Sequence, residues 1–206
     1  KGLLIHTADD IGNPGPDYLY GWGLMNTLAA AQVIRDHADG GGNPVIVEDI
    51  LTTAAPAKSS SFTWNGTDAI RVTLCWTDPA GTSTTNHDDR SPRLVNDLNL
   101  RVTGPGGMLH LPFVMPYVGD WSNAKLSAPA TTGVNNVDNV EQVLITTPPQ
   151  SGLYTVTVDH VGGLTNASQR YSLIITGGGV PDPLAIMPNT GLISQGDEAG
   201  PFTPSA

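Results

Sequence analysis

Residues Asn135-Asn136-Val137-Asp138-Asn139-Val140-Glu141 concentrate the side-chain oxygens that a hard divalent cation binds. Calcium takes about six to eight oxygen ligands from carboxylates, amide oxygens and backbone carbonyls. Two other places add to the supply: Asp97 and Asn99 alternate onto one face of a strand, and Asp120 lies in a Gly-Asp-Trp turn. Asp97, Asp138 and Glu141 are therefore the first candidate ligands for a calcium ion. The competing reading is structural, because Asn and Asp at a strand entry commonly bond to the local backbone. A second candidate, His87-Asp88-Asp89, has no partner at a spacing that suits zinc.

Nucleophilic catalysis is poorly supplied. The chain has five histidines, His6, His37, His87, His110 and His160, and none has a Ser or Asp context like a triad. A triad is set by geometry rather than spacing, but no Gly-x-Ser-x-Gly elbow occurs either. No catalytic residue is assigned. Trp64, Trp76 and Trp121 could form a carbohydrate platform, although Trp64 and Trp76 fall at strand ends where packing is the plainer role; Trp22 reads as packing too. The one cysteine, Cys75, excludes an intrachain disulfide and reads as a buried, inert thiol in an apolar run.

The composition narrows the partners. The 206 residues include 9 basic and 19 acidic ones, for a net charge of −10. That balance argues against nucleic acid, whose binding rests on neutralising phosphates. No apolar run reaches the ~18 residues of a membrane span. The acidity is spread as −3 over 1–44, −4 over 45–178 and −3 over 179–206, so no segment is a charged tail. With 24 Gly and 17 Pro and only 14% charged residues, the chain suits a turn-dense β fold. Lys1 precedes an apolar Gly2-Leu3-Leu4-Ile5 with no Met and no signal peptide, which reads as an internal start.

The elements that must position these residues follow from periodicity. Residues 1–40 read as helical, with a loop at 12–16, a tight turn at Tyr20-Gly21-Trp22-Gly23 and a helix from Leu24 to about Arg35. Asp39-Gly40-Gly41-Gly42-Asn43-Pro44 ends that segment as a linker. From Val45 the period becomes two. Runs at 45–50, 61–64, 70–76, 98–102, 140–146, 153–161 and 170–176 alternate or carry strand formers, and about eight short strands are expected over 45–178. The fold class is mainly β, an antiparallel jelly-roll or β-sandwich barrel. The long gap at 77–93 reads as an exposed loop. Residues 179–206 read as a linker and the start of a further, Ig-like module.

The motifs carry a resemblance. LIHTADD at 4–10 followed by YGWGLMNTLAAAQVI at 20–34 resembles the last two helices of a subtilisin-like serine protease domain. VTLCWTDPAG at 72–81, RLVNDLNLRVTGPGG at 93–107, NNVDNVEQV at 135–143 and SGLYTVTVDH at 151–160 resemble the β-barrel domain that follows the catalytic domain in large bacterial subtilases of the KP-43 type. That barrel is akin to the P domain of the kexin-like proprotein convertases. The resemblance covers about 1–178, and the order of its parts is its most specific feature.

The resemblance implies three units: 1–40 as C-terminal helices of an incomplete catalytic domain, 45–178 as the barrel, and 179–206 as the stub. It implies a non-catalytic C-terminal part of a secreted endopeptidase, whose barrel stabilises the catalytic domain or shapes substrate access. The catalytic Asp, His and Ser would lie upstream, so this chain should be inactive alone. The related barrels bind calcium, and Asn135 and Asp138 stand here where their motif has Asp and Asn. Two sequons, at Asn65 and Asn166, are set aside because the resemblance is bacterial. Partners expected are the upstream catalytic domain, the parent's protein or peptide substrate, and a second copy through the exposed helical segment. Leu3, Leu4, Leu28 and Ile34 would otherwise lack a surface to pack on, so the helices either dock on the barrel or swap between copies. Two other readings stay open: a stand-alone calcium-dependent adhesion or ligand-binding sandwich, and a matured subunit that reassociates with its catalytic half.

Overall fold

The change of period at Val45 is a change of architecture. A computed structural model describes residues 1–40, 42–64, 66–87, 91–116 and 122–178. Asp88, Asp89, Asp120, Trp121, Asn65 and the 179–206 stub lie outside the described residues. Helix α1 spans Gly2–His6 and α2 spans Thr27–Ala38. The strands are β1 Val45–Thr52, β2 Ala57–Trp64, β3 Ile70–Trp76, β4 Asp97–Thr103, β5 Leu109–His110, β6 Phe113–Val114, β7 Thr131–Thr132, β8 Val140–Ile145, β9 Gly152–Val161 and β10 Ser168–Thr176. A single-turn helix α3, Asn123–Leu126, lies between β6 and β7.

Two four-stranded antiparallel sheets face each other. The first runs β1-β10-β3-β8 and the second β2-β9-β4-β5. They form an open β-sandwich rather than a closed barrel. The alternation explains which side meets which. Ile70, Val72, Leu74 and Trp76 from β3 and Leu98, Leu100 and Val102 from β4 enter one shared core with Tyr154, Val156, Val158, Leu173 and Ile175. Tyr154 is fully buried, stacks on Phe62 at 6.0 Å and meets Trp64 edge-on at 6.3 Å. Trp64 and Trp76 are core residues, 6% and 3% exposed, so neither offers a carbohydrate platform. The 77–87 loop is largely exposed, as its polarity implies.

The helical segment adds a partial third layer. Helix α1 lies on the outward face of the first sheet, across β3 and β10. A Cβ on Gly2 would stand 3.0 Å from Cys75 Cβ and 3.1 Å from Ile174 Cδ1, so glycine allows the close approach. Docking, one of the two expected arrangements, therefore holds for α1. Cys75 is buried and free beneath it.

Helix α2 begins at Thr27, not Leu24. Leu24 is taken into a bridge with Asp9, each donating its N–H to the other's carbonyl at 2.8–2.9 Å. Gly23 permits this, because a Cβ there would fall 2.1 Å from the Asp9 carbonyl oxygen. Asn26 then caps the helix: its Oδ1 accepts from Ala29 N at 2.9 Å, and its Nδ2 donates to both Asp9 carboxylate oxygens at 3.1 Å. Asn26→Ala is expected to lose about 1 kcal/mol, read as a lower urea midpoint for the helical signal. Asp17 staples the preceding loop by accepting from Tyr20, Asn13 and Leu19 N–H groups, which hold its carboxyl below the usual range. No helix among the described residues is long and apolar enough to cross a membrane.

Candidate cation site at the seam of the sandwich

Strand β8 is an edge strand, and its alternation points Glu141, Val143 and Ile145 inward. Glu141 pairs in register with Leu74 and Val143 with Val72, both core residues of β3. A carboxylate thus sits on the core face, 0% exposed. Across the seam, β5 pairs with β4 only at Val102 and Thr103. Glu141 takes up the backbone that β5 leaves open: Leu100 N donates to Glu141 Oε2 at 2.6 Å. One side chain from the first sheet thereby bonds to the backbone of the second.

The other oxygen is the informative one. Glu141 Oε1 is buried with no hydrogen-bond partner among the described residues, and so is Asp97 Oδ1 on β4. Burial pushes the Glu141 pKa up to about 8; the Leu100 hydrogen bond and Arg101 oppose this, while the charges of Asp97 and Asp138 add to it. Burial, then the charge of Asp78, raises Asp97 as well. Asp78 is itself committed, accepting from Val95 N and Asn96 N at 2.7 and 2.8 Å. Buried polar atoms are nearly always paired, so two orphaned carboxyl oxygens, on groups whose ionisation their surroundings disfavour, fit a cation that would favour the ionised forms.

The third candidate stands differently. Asp138 Oδ2 accepts from Asn135 Nδ2 at 2.9 Å, while Asn135 Oδ1 accepts from Val137 N and Asp138 N at 3.0 and 3.1 Å. The competing structural reading thus describes Asn135, which is 2% exposed and closes a local turn. Among the described residues no three His, Cys, Asp or Glu side chains group as a ready metal shell. Asp97 and Glu141 carry the open oxygens; Asp138 lends charge. A cleft of about 250 Å³ opens beside Asp138, between Trp22, Ile5 and Pro16 on one side and Phe113 and Met115 on the other.

Among the described residues the histidines bond as follows. His37 Nδ1 accepts from Ile46 N at 3.4 Å, and His87 is exposed. Burial lowers the pKa of His110; among the described residues its Nε2 has no partner, and neither ring nitrogen of His160 has one. None of these contacts is to a serine. His6 was not singled out by sequence, yet it is the best-held of the five. It bonds to Thr73 Oγ1 and Thr176 Oγ1, residues 67 and 170 positions away, which no local spacing signals. At 2% exposure it has no access to a substrate. No family model and no curated protein matches the chain.

Proposed function

We propose that this chain is the non-catalytic C-terminal part of a secreted subtilisin-like serine endopeptidase. In it a jelly-roll sandwich braces the catalytic unit through the helical segment. The observation that carries the reading is the two-sidedness of residues 1–38. One side is seated on the first sheet through Gly2 and His6. The other exposes Leu19, Leu24, Met25 and Leu28 at 73%, 61%, 60% and 69%, and α2 buries only Ala30. Four large apolar side chains this exposed within ten residues fit a surface that meets a partner. The resemblance names that partner as the upstream catalytic domain.

Calcium is part of the proposal. The residues that would hold it are Asp97 and Glu141, and bound there it would supply positive charge to a buried and a half-buried carboxylate on facing sheets. That tie would stiffen the seam and so the brace. The coding sequence upstream of the Lys1 codon provides the test. A serine in a Gly-Thr-Ser-x-Ala-type motif, with upstream Asp and His motifs, is the expected finding. Its absence overturns the protease reading in favour of a stand-alone calcium-dependent binding module. A fluorophosphonate serine probe should leave this chain unlabelled, and labelling would refute its assignment as non-catalytic.

A further inference from the structure

His6 joins α1 to the first sheet through both ring nitrogens and is buried there at 2% exposure. Its Nδ1 lies 2.8 Å from Thr73 Oγ1 on β3, and its Nε2 lies 3.0 Å from Thr176 Oγ1 on β10. Gln142 Nε2 on β8 donates to the same Thr73 oxygen at 2.9 Å. Thr73 keeps its hydroxyl hydrogen and a second lone pair, so either tautomer of the neutral ring has a hydroxyl partner at each nitrogen.

Burial and the nearest cation oppose protonation of the ring. Arg71 on β3 donates from a guanidinium nitrogen to the His6 carbonyl at 2.6 Å. Asp10 and Asp9, behind α1, favour the charged form of that guanidinium against its burial. Thr176 of β10 and Gln142 of β8 are neutral. Helix α2 turns its His37 away, to Ile46. Burial, then Arg71, lowers the His6 pKa to about 3. The shared core lies between the two sheets and includes no residue of α1.

We propose that His6 is an acid-released latch, whose protonation undocks α1 from the first sheet while the sandwich stays folded. The sign follows from linkage. An undocked His6 takes its proton near the ordinary 6.5, the docked one only near 3. Docking is at full strength above 6.5 and weakens about tenfold per pH unit as the pH falls towards 3. Neutral surroundings hold the helical segment to the sandwich, and acid releases it.

Cys75 reports the motion, since it is the one thiol of the chain and Gly2 lies over it. The native protein is treated with 4,4′-dithiodipyridine, a thiol reagent active in acid, and each rate is divided by that of the denatured chain at the same pH. From pH 6.5 to 4.5 the ratio should rise about 50-fold while tryptophan fluorescence stays native. In His6→Gln the ratio should be flat over this range. A flat native profile, an equal slope in His6→Gln, or labelling that coincides with loss of the tryptophan signal would overturn the latch. The NMR titration of the His6 ring decides independently of whether the variant folds: a neutral ring at pH 5 supports it, and an ordinary midpoint near 6.5 in the docked protein refutes it.

Discussion

Glu141→Gln is expected to raise the melting temperature in chelator and to abolish the further rise that calcium gives the unsubstituted chain. The amide keeps an oxygen for Leu100 N, so the bond across the seam survives. What changes is the second atom. Oε1 has no partner among the described residues and lies in the field of Asp97 and Asp138, both of which disfavour a charge at Glu141. An amide NH2 in its place is neutral and donates towards carboxylates. Relieving one buried unsatisfied polar atom contributes about 1–3 kcal/mol. For a domain of this size that is about 3–8 °C. Calcium should act on the unsubstituted chain in the same direction, adding about 4 kcal/mol at a thousandfold excess over Kd. The variant lacks one of the two open carboxylates and should gain little. If chelator and calcium leave the melting temperature of the unsubstituted chain unchanged, no cation binds the seam. If Glu141→Gln is less stable in chelator, the carboxylate contributes more through Leu100 than it loses by burial, and the orphaned oxygen has been misread.

The sandwich was legible wherever one side chain in two was apolar. Ile70-Val72-Leu74-Trp76 and Leu98-Leu100-Val102 fell in the core as their parity requires. The same parity placed Glu141 with Val143 and Ile145, so a carboxylate facing the core was readable from one strand. Its partner was not, because Leu100 lies 41 residues away on the other sheet. Closure into a barrel was not decided by strand content: β5, β6 and β7 have two residues each, too few for periodicity to show. The start of α2 was misplaced because Leu24, Leu28 and Ala31 fit a helical period while Asn26 carries the capping chemistry. A cap decides the boundary by bonding Ala29 N, and periodicity does not contain that bond. The outward residues of β3 show a different limit. Arg71, Thr73 and Cys75 alternate with core residues and would face water in a two-layer sandwich. Thr73 is 0% exposed because α1 covers it. Nothing between residues 6 and 73 announces that cover.

Leu24→Asp and Leu28→Asp are expected to leave the stability of this chain within about 0.5 kcal/mol of the native value and to weaken its association with the upstream segment. The first half follows from exposure. Both side chains stand mostly in solvent, and Leu24 is fixed through its backbone to Asp9, which the substitution leaves in place. The second half follows from what a partner would bury. Each leucine removed from water contributes about 1.5–3 kcal/mol, and a carboxylate in its place must be desolvated as well. The pair together should therefore weaken binding by at least about 100-fold, since each 1.4 kcal/mol is a factor of ten. Calorimetric titration of the upstream segment into the native and doubly substituted chains measures this. Sedimentation of the chain alone gives the complementary result, because loss of a dimer in the variant would assign the apolar surface to a second copy. Equal affinity of both chains for the upstream segment would remove this surface from the brace. It would leave Leu19, Leu24, Met25 and Leu28 without a role in the proposed assembly.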